Sequence, residues 1–180
     1  MGYSPLDTFR LRIMTENRAA AMVLARARQF LFVREAPGNK NLGRWVEGIQ
    51  RIGGTVPGQP WCACFTGFIL GLWHDNKPPL KYTASCDLML EEARAKGMLR
   101  DDPAPGALFF LLRAKHDAIH VGFVTEGITP LTFGTIEGNA SDPSRPPTRE
   151  GWGVFERLVT SSRARKRGAA YVYAYWWLGE

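Results

Sequence analysis

The stretch Pro60-Trp61-Cys62-Ala63-Cys64-Phe65 marks the point where a turn-rich segment gives way to an apolar run. The preceding Thr55-Val56-Pro57-Gly58-Gln59-Pro60 cannot continue a regular element. Pro60 suits the first turn of a helix, where its missing N–H is not needed. From Trp61 to Trp73 the spacing of Phe65, Phe68, Ile69 and Leu72 follows the three-four rhythm of a helix packed on a core. Cys62 therefore falls in the first turn, facing unpaired backbone N–H groups and the positive end of the helix dipole. That setting favours thiolate over thiol and brings a cysteine pKa from about 8.5 down towards 7 or below. Cys62 is a candidate nucleophile on this ground. Cys64 lies about 200° round the same helix, at roughly 100° per residue, and reads as a small buried hydrophobe. Cys86, near the start of a later helix and without a partner motif, reads the same way.

Outward from this helix the chain orders helices first and strands afterwards. A helix is expected from Thr15 to Val33, with Thr15 as its cap, and Glu35-Ala36-Pro37-Gly38-Asn39 breaks it. Asn41 to Ile52 reads as a shorter helix with Leu42, Trp45, Val46 and Ile49 on one face, ended by Gly53-Gly54. Ser85 to Lys96 is another, closed by Gly97. After Asp101 to Gly106 the rhythm changes. Strands are expected at Ala107 to Leu112, Ala118 to Thr125, Leu131 to Glu137, Val154 to Val159 and Ala170 to Leu178. Glu126 to Pro130 reads as a hairpin loop and Ser141 to Glu150 as a longer one. The pattern predicts an α+β fold, N-terminal helices packed on a C-terminal antiparallel sheet, in one domain over 1–180 with 1–14 as an extension. The aromatics Tyr171, Tyr173, Tyr175, Trp176 and Trp177 read as core rather than as a sugar-stacking surface.

Composition bounds the function. The chain has 180 residues, 45% hydrophobic and 22% charged, which suits an ordinary globular domain. Three cysteines, an odd number, do not suggest a disulfide framework. No apolar stretch approaches a membrane span, and the N-terminal segment reads as an amphipathic helix rather than an export signal. The net charge of +6 is concentrated in Arg163, Arg165, Lys166 and Arg167 and in Arg10, Arg12, Arg18, Arg26 and Arg28. Such charge favours an anionic partner, but no nucleic-acid motif accompanies it.

A nucleophilic cysteine needs a base. Of the three histidines, His74 and His116 fall in loops, while His120 opens the strand Ile119-His120-Val121-Gly122-Phe123-Val124. With a hairpin turn centred near Ile128 or Thr129, His120 lies opposite about Glu137, within a residue or two. Opposed side chains of an antiparallel pair share a face with Cβ atoms about 5 Å apart. A carboxylate there can fix the imidazole's tautomer and stabilise its cation. Asn139 would project to the same side if the strand continues, giving a second orienter. A slip of one residue would put Glu137 on the other face.

The segments PWCACF, IHVGFV and TIEGNAS, in that order, resemble the CHAP amidase/peptidase domains and their NlpC-type and papain-like relatives. Glu35 to Gly38 and Pro105 to Phe109 also look like the family, so the resemblance spans roughly residues 20 to 140. It implies a papain-like fold with Cys62 as nucleophile, His120 as general base, Glu137 as orienter and Asn139 as an auxiliary polar group. Gln59 and Trp61, beside the cysteine, are then candidates for the substrate and oxyanion side. The implied substrate is peptidoglycan, cut by an amidase or endopeptidase such as a phage lysin or virion-associated hydrolase, made in the cytoplasm and acting at the cell wall. No cofactor is implied. Some relatives bind calcium through acidic residues before the cysteine, and Gly53 to Trp61 holds none. Two alternatives stand beside the hydrolase. One is a zinc module built on Cys62, Cys64, Cys86 and a histidine; the other is an inactive CHAP-like protein serving in wall binding or tail assembly.

Overall fold

A computed structural model describes residues 18–38, 40–74, 77–142, 144, 151–160 and 170–179. The expected extension at 1–14, the helix cap Thr15, and the basic residues at 10, 12 and 163–167 lie outside the described residues.

Helix α1 covers 18–28 and buries Val23, Leu24 and Ala27. It stops short of the expected Val33. Tight bonds from the Gln29 and Phe30 N–H groups to the Arg26 and Ala27 carbonyls close it. Beyond them the chain straightens, and Arg34 pairs with Gly153 at the far edge of the sheet. Helix α2, Arg44–Ile52, starts later than Asn41 because Asn41 (φ 57°) and Gly43 (φ 136°) hold backbone conformations that no right-handed helix turn uses. Helix α3, Cys62–Trp73, follows, and helix α4, Cys86–Ala95, is capped by the Ser85 hydroxyl, which accepts from the Leu88 N–H at 3.2 Å.

The strands are β1 (Leu99–Arg100), β2 (Leu108–Ala114), β3 (Asp117–Thr129), β4 (Thr132–Ala140), β5 (Gly153–Val159) and β6 (Ala170–Ala174). They form one antiparallel sheet in the order β1-β6-β2-β3-β4-β5. The expected α+β architecture, N-terminal helices packed against a C-terminal antiparallel sheet, is the one observed. The short β1 has no expected counterpart, and two expected segments run differently. Glu126 to Pro130 is mostly strand: β3 runs to Thr129, the turn is Pro130-Leu131, and two register irregularities take up the extra length. The last strand ends at Ala174, and a 3₁₀ turn over Trp176–Gly179 drives the Trp176 indole inward to donate to the Gly106 carbonyl at 2.8 Å.

Helix α3 is the centre of the molecule. It is apolar on all sides, and Cys62 to Gly67 and Ile69 to Gly71 are all buried. That suits a helix enclosed between α2, α4 and strands β3 and β4. A second apolar cluster, Ala107, Phe109, Val124, Phe133 and Tyr173, covers the other face of the sheet. Tyr173 and Trp176 are buried, and Tyr171, Tyr175 and Trp177 half-buried, so the C-terminal aromatics pack as core.

The N-terminal turn of α3 rests on Gly138 of β4. A Cβ there would lie 2.5 Å from Phe65 Cβ and 2.9 Å from the Trp61 ring. Neither neighbour is a flexible chain end. Gly138→Ala should therefore destabilise the fold by about 1–3 kcal/mol through overpacking. Differential scanning calorimetry should show a melting point lower by several degrees, and an unchanged one would count against this packing.

Candidate functional site

Cys62 is the first residue of α3, and Trp61 its cap; no side chain caps this end. The entry to the helix is held from outside. Glu35 accepts the Trp61 indole N–H at 3.0 Å and, on its other oxygen, the Asn41 backbone N–H at 2.8 Å. The buried Gln50 amide donates to the Gln59 carbonyl at 2.6 Å and to the Asn41 carbonyl at 3.0 Å. The loop before Cys62 is thus tied to α2 and to the α1–α2 connection. Trp61 is fully buried, so its side chain does not face a substrate as expected; it anchors the helix start. Gln59 is exposed beside the cysteine.

His120 and Glu137 meet by a route that differs in register from the expected one. In β3 and β4, Phe123 faces Ile136 and Val124 faces Thr135, two residues away from a direct His120–Glu137 pairing. Because side chains alternate with a period of two, the difference leaves both on the same face. Extending the register puts Glu137 level with Gly122, and a Cβ on Gly122 would lie only 2.9 Å from Glu137 Cγ. The missing side chain lets the carboxylate lean diagonally across, and Glu137 Oε2 lies 2.7 Å from His120 Nε2.

Glu137 is 1% exposed and carries further partners. The Thr135 hydroxyl donates to Oε1 at 2.5 Å, and Arg157 of β5 donates through Nε to Oε1 at 3.3 Å and through a terminal nitrogen to Oε2. Burial alone would raise the carboxyl pKa. The Arg157 charge, with His120 and Thr135, instead holds it well below the usual carboxylate range. Neither Thr135 nor Arg157 was among the expected residues. Thr135 precedes Glu137 by two and so had a visible signal. Arg157 did not, because no local pattern in the preceding stretch 141–150 fixes its register against β4. Asn139 takes another course: its backbone is left-handed (φ 53°), at an irregularity between β4 and β5, and its Oδ1 sits against Gly151. It makes no bond to His120 among the described residues, contrary to its expected role as a second orienter.

Nε2 of His120 is taken by Glu137, and Cys62 lies close enough for its charge to act on the ring. The Cys62 sulfur lies 3.5 Å from the Cys86 sulfur. The Cys86 thiol and, against the penalty of burial, the His120 charge pull the Cys62 pKa well below the ordinary thiol range. Burial would lower His120, but the Cys62 thiolate and the Glu137 carboxylate push it up to about 10. Cys86 is shifted upward by donating to Cys62 and by burial, so it stays a thiol. Burial first, then the Cys62 charge, raises Cys64 to about 12. These shifts favour a thiolate on Cys62 and an imidazolium on His120, with the Glu137 carboxylate beside the ring. Cys86 is buried in the core as expected, and the starts of α3 and α4 also bring its sulfur to that of Cys62.

Cys62 is 4% exposed and the His120 side chain 17%. A cleft of about 60 Å³ opens over His120, Glu137, Phe109 and Tyr171. Among the described residues no group of three or more His, Cys, Asp or Glu is placed to hold a metal ion, and Cys64 is turned away from the other two sulfurs against Gly53. The zinc set Cys62, Cys64, Cys86 and a histidine is therefore not assembled. His116 pairs with Glu91 at 2.9 Å on the surface, and His74 packs on Trp73 and Trp176. No helix among the described residues is long and apolar enough to cross a membrane. No protein-family model matches the chain, and comparison with curated proteins and with solved structures yields no match.

Two measurements check this electrostatic picture. Iodoacetamide should alkylate Cys62 far faster than Cys64 or Cys86, at a rate nearly flat from about pH 6 to 9, because the thiolate persists above its depressed pKa. A sigmoidal rise centred near 8.5, the ordinary thiol value, would contradict it. Arg157→Leu removes the countercharge of a buried carboxylate and should destabilise the protein by about 3 kcal/mol near neutral pH. The deficit should shrink as pH falls below about 4, where the unfolded carboxyl is protonated as well. Denaturant titrations at both pH values would read the difference.

Proposed function

We propose that the protein is a cysteine amidohydrolase of CHAP type that cleaves an amide bond of peptidoglycan. The single observation that supports this reading is the His120–Glu137 pair at 2.7 Å, with Cys62 at the first turn of α3 close enough for its charge to act on His120. In papain-like chemistry a thiolate, an imidazolium and a carboxylate are the states a nucleophile, acid–base and orienter need at rest. The Cys62 thiolate attacks the amide carbonyl carbon, and the resulting oxyanion is met by the Cys62 backbone N–H at the uncapped start of α3. Gln59, exposed on the same loop, supplies the second donor. His120 gives its proton to the leaving amine as the C–N bond breaks, which leaves a thioester on Cys62. The neutral ring, steered by Glu137, then takes a proton from water, whose oxygen attacks the thioester and releases the acid.

The choice of peptidoglycan comes from the resemblance of PWCACF, IHVGFV and TIEGNAS to CHAP segments, and action at the wall follows delivery or release from the cell that makes the protein. Purified peptidoglycan incubated with wild type should yield soluble fragments with new amine and carboxyl ends, and mass spectrometry of them identifies the bond cut. Cys62→Ala should reduce the release by at least about a thousandfold, as removal of a covalent nucleophile does elsewhere. Equal release by the two proteins would leave the inactive CHAP-like role in wall binding or assembly.

A further inference from the structure

Cys86 is a nucleophilic side chain beside the candidate site that the proposed chemistry leaves idle. It occupies the first position of α4 just as Cys62 occupies the first position of α3. Each sulfur projects from a helix start, and the two meet at 3.5 Å without being bonded. A disulfide needs about 2.05 Å, so closure asks the two sulfurs to approach by about 1.5 Å more. Cys64, only two residues from Cys62, is excluded, because its sulfur is fully buried against Gly53. Both sulfurs of the close pair are nearly covered, but His120 is open enough at its edge for a small solute to approach.

We propose that Cys62 and Cys86 are a modification site: a hydroperoxide converts them to a reversible disulfide that withdraws the reactive sulfur. The Cys62 thiolate attacks one oxygen of hydrogen peroxide; an S–O bond forms, the O–O bond breaks, and the departing hydroxide takes the proton of His120 to become water. Cys86 then passes its proton to the now neutral imidazole and attacks the Cys62 sulfur. The S–S bond forms as the S–O bond breaks, and the second hydroxide recovers that proton and leaves as water. Each sulfur gives up one electron and the peroxide takes two, so the sum is one disulfide and two waters. The unequal protonation of the two sulfurs supports this division of labour, since a thiolate attacks peroxide and a thiol in waiting resolves the product. The inference rests on the hydrolase reading only for the claim that the disulfide switches activity off.

The test treats the reduced full-length protein with hydrogen peroxide near pH 7 and digests it with trypsin without reductant. The expected product is a linked pair of peptides, 52–81 and 82–94, with fragmentation placing the bond on Cys62. Iodoacetamide labelling of Cys62 should fall at least about tenfold and return with dithiothreitol. In Cys86→Ser, and in Cys86→Ala as a second variant, no link should form and dimedone should trap a Cys62 sulfenic acid. Wild type that accumulates sulfenic or sulfinic acid as fast as the variants, or that links Cys86 to Cys64, overturns the proposal. Because the link is read by mass, it stands or falls separately from peptidoglycan cleavage. A disulfide in a protein that releases no fragments would remove the hydrolase reading alone.

Discussion

The Arg157–Glu137 pair is the constraint on which the rest of the site depends. A carboxylate covered to this degree is costly unless it is paired and fully hydrogen-bonded. Arg157, Thr135 and His120 together meet that demand, and they come from β5, β4 and β3. One side chain therefore ties three neighbouring strands to a single register. Arg157, Glu137, His120 and Cys62 follow one another, so that each tends to favour the charged form of the next. The Cys86 sulfur lies 3.5 Å beyond Cys62 at the far end.

Two glycines give this line its room. Gly122 leaves the path along which the Glu137 side chain crosses to His120, and Gly138 lets the first turn of α3 settle on β4. Neither has a positive φ, so both act by close approach rather than by backbone freedom. The pairing of β3 with β4 goes no further than Phe123 and Ile136. Beyond that point the start of α3, through Trp61 and Phe65, packs against Gly138 of β4.

Much of this was legible in the residues. Pro60 and the apolar run after it marked the start of α3, and the sparse histidines left His120 as the strand-borne candidate. Glu137 was found through a register two residues from the true one, and survived because the period of a strand forgives an even slip. Arg157 and Cys86 were not legible as partners, for a common reason. Each reaches the site through packing between elements whose relative placement no local pattern encodes, between β4 and β5 in one case and between two helix starts in the other. Asn139 failed as an orienter because a left-handed residue interrupts the alternation on which its assignment relied. Trp61 is indispensable in a different sense from the one expected, as the anchor that joins the helix start to Glu35.

The order of the parts along the polypeptide has a consequence for biosynthesis. Cys62 leaves the ribosome well before His120, Glu137 and Arg157, and chains fold broadly from the N-terminus as they emerge. Until the last strands dock, the sulfur has no imidazole beside it and behaves as an everyday thiol. The environment that favours the Cys62 thiolate is thus assembled only with the finished sheet.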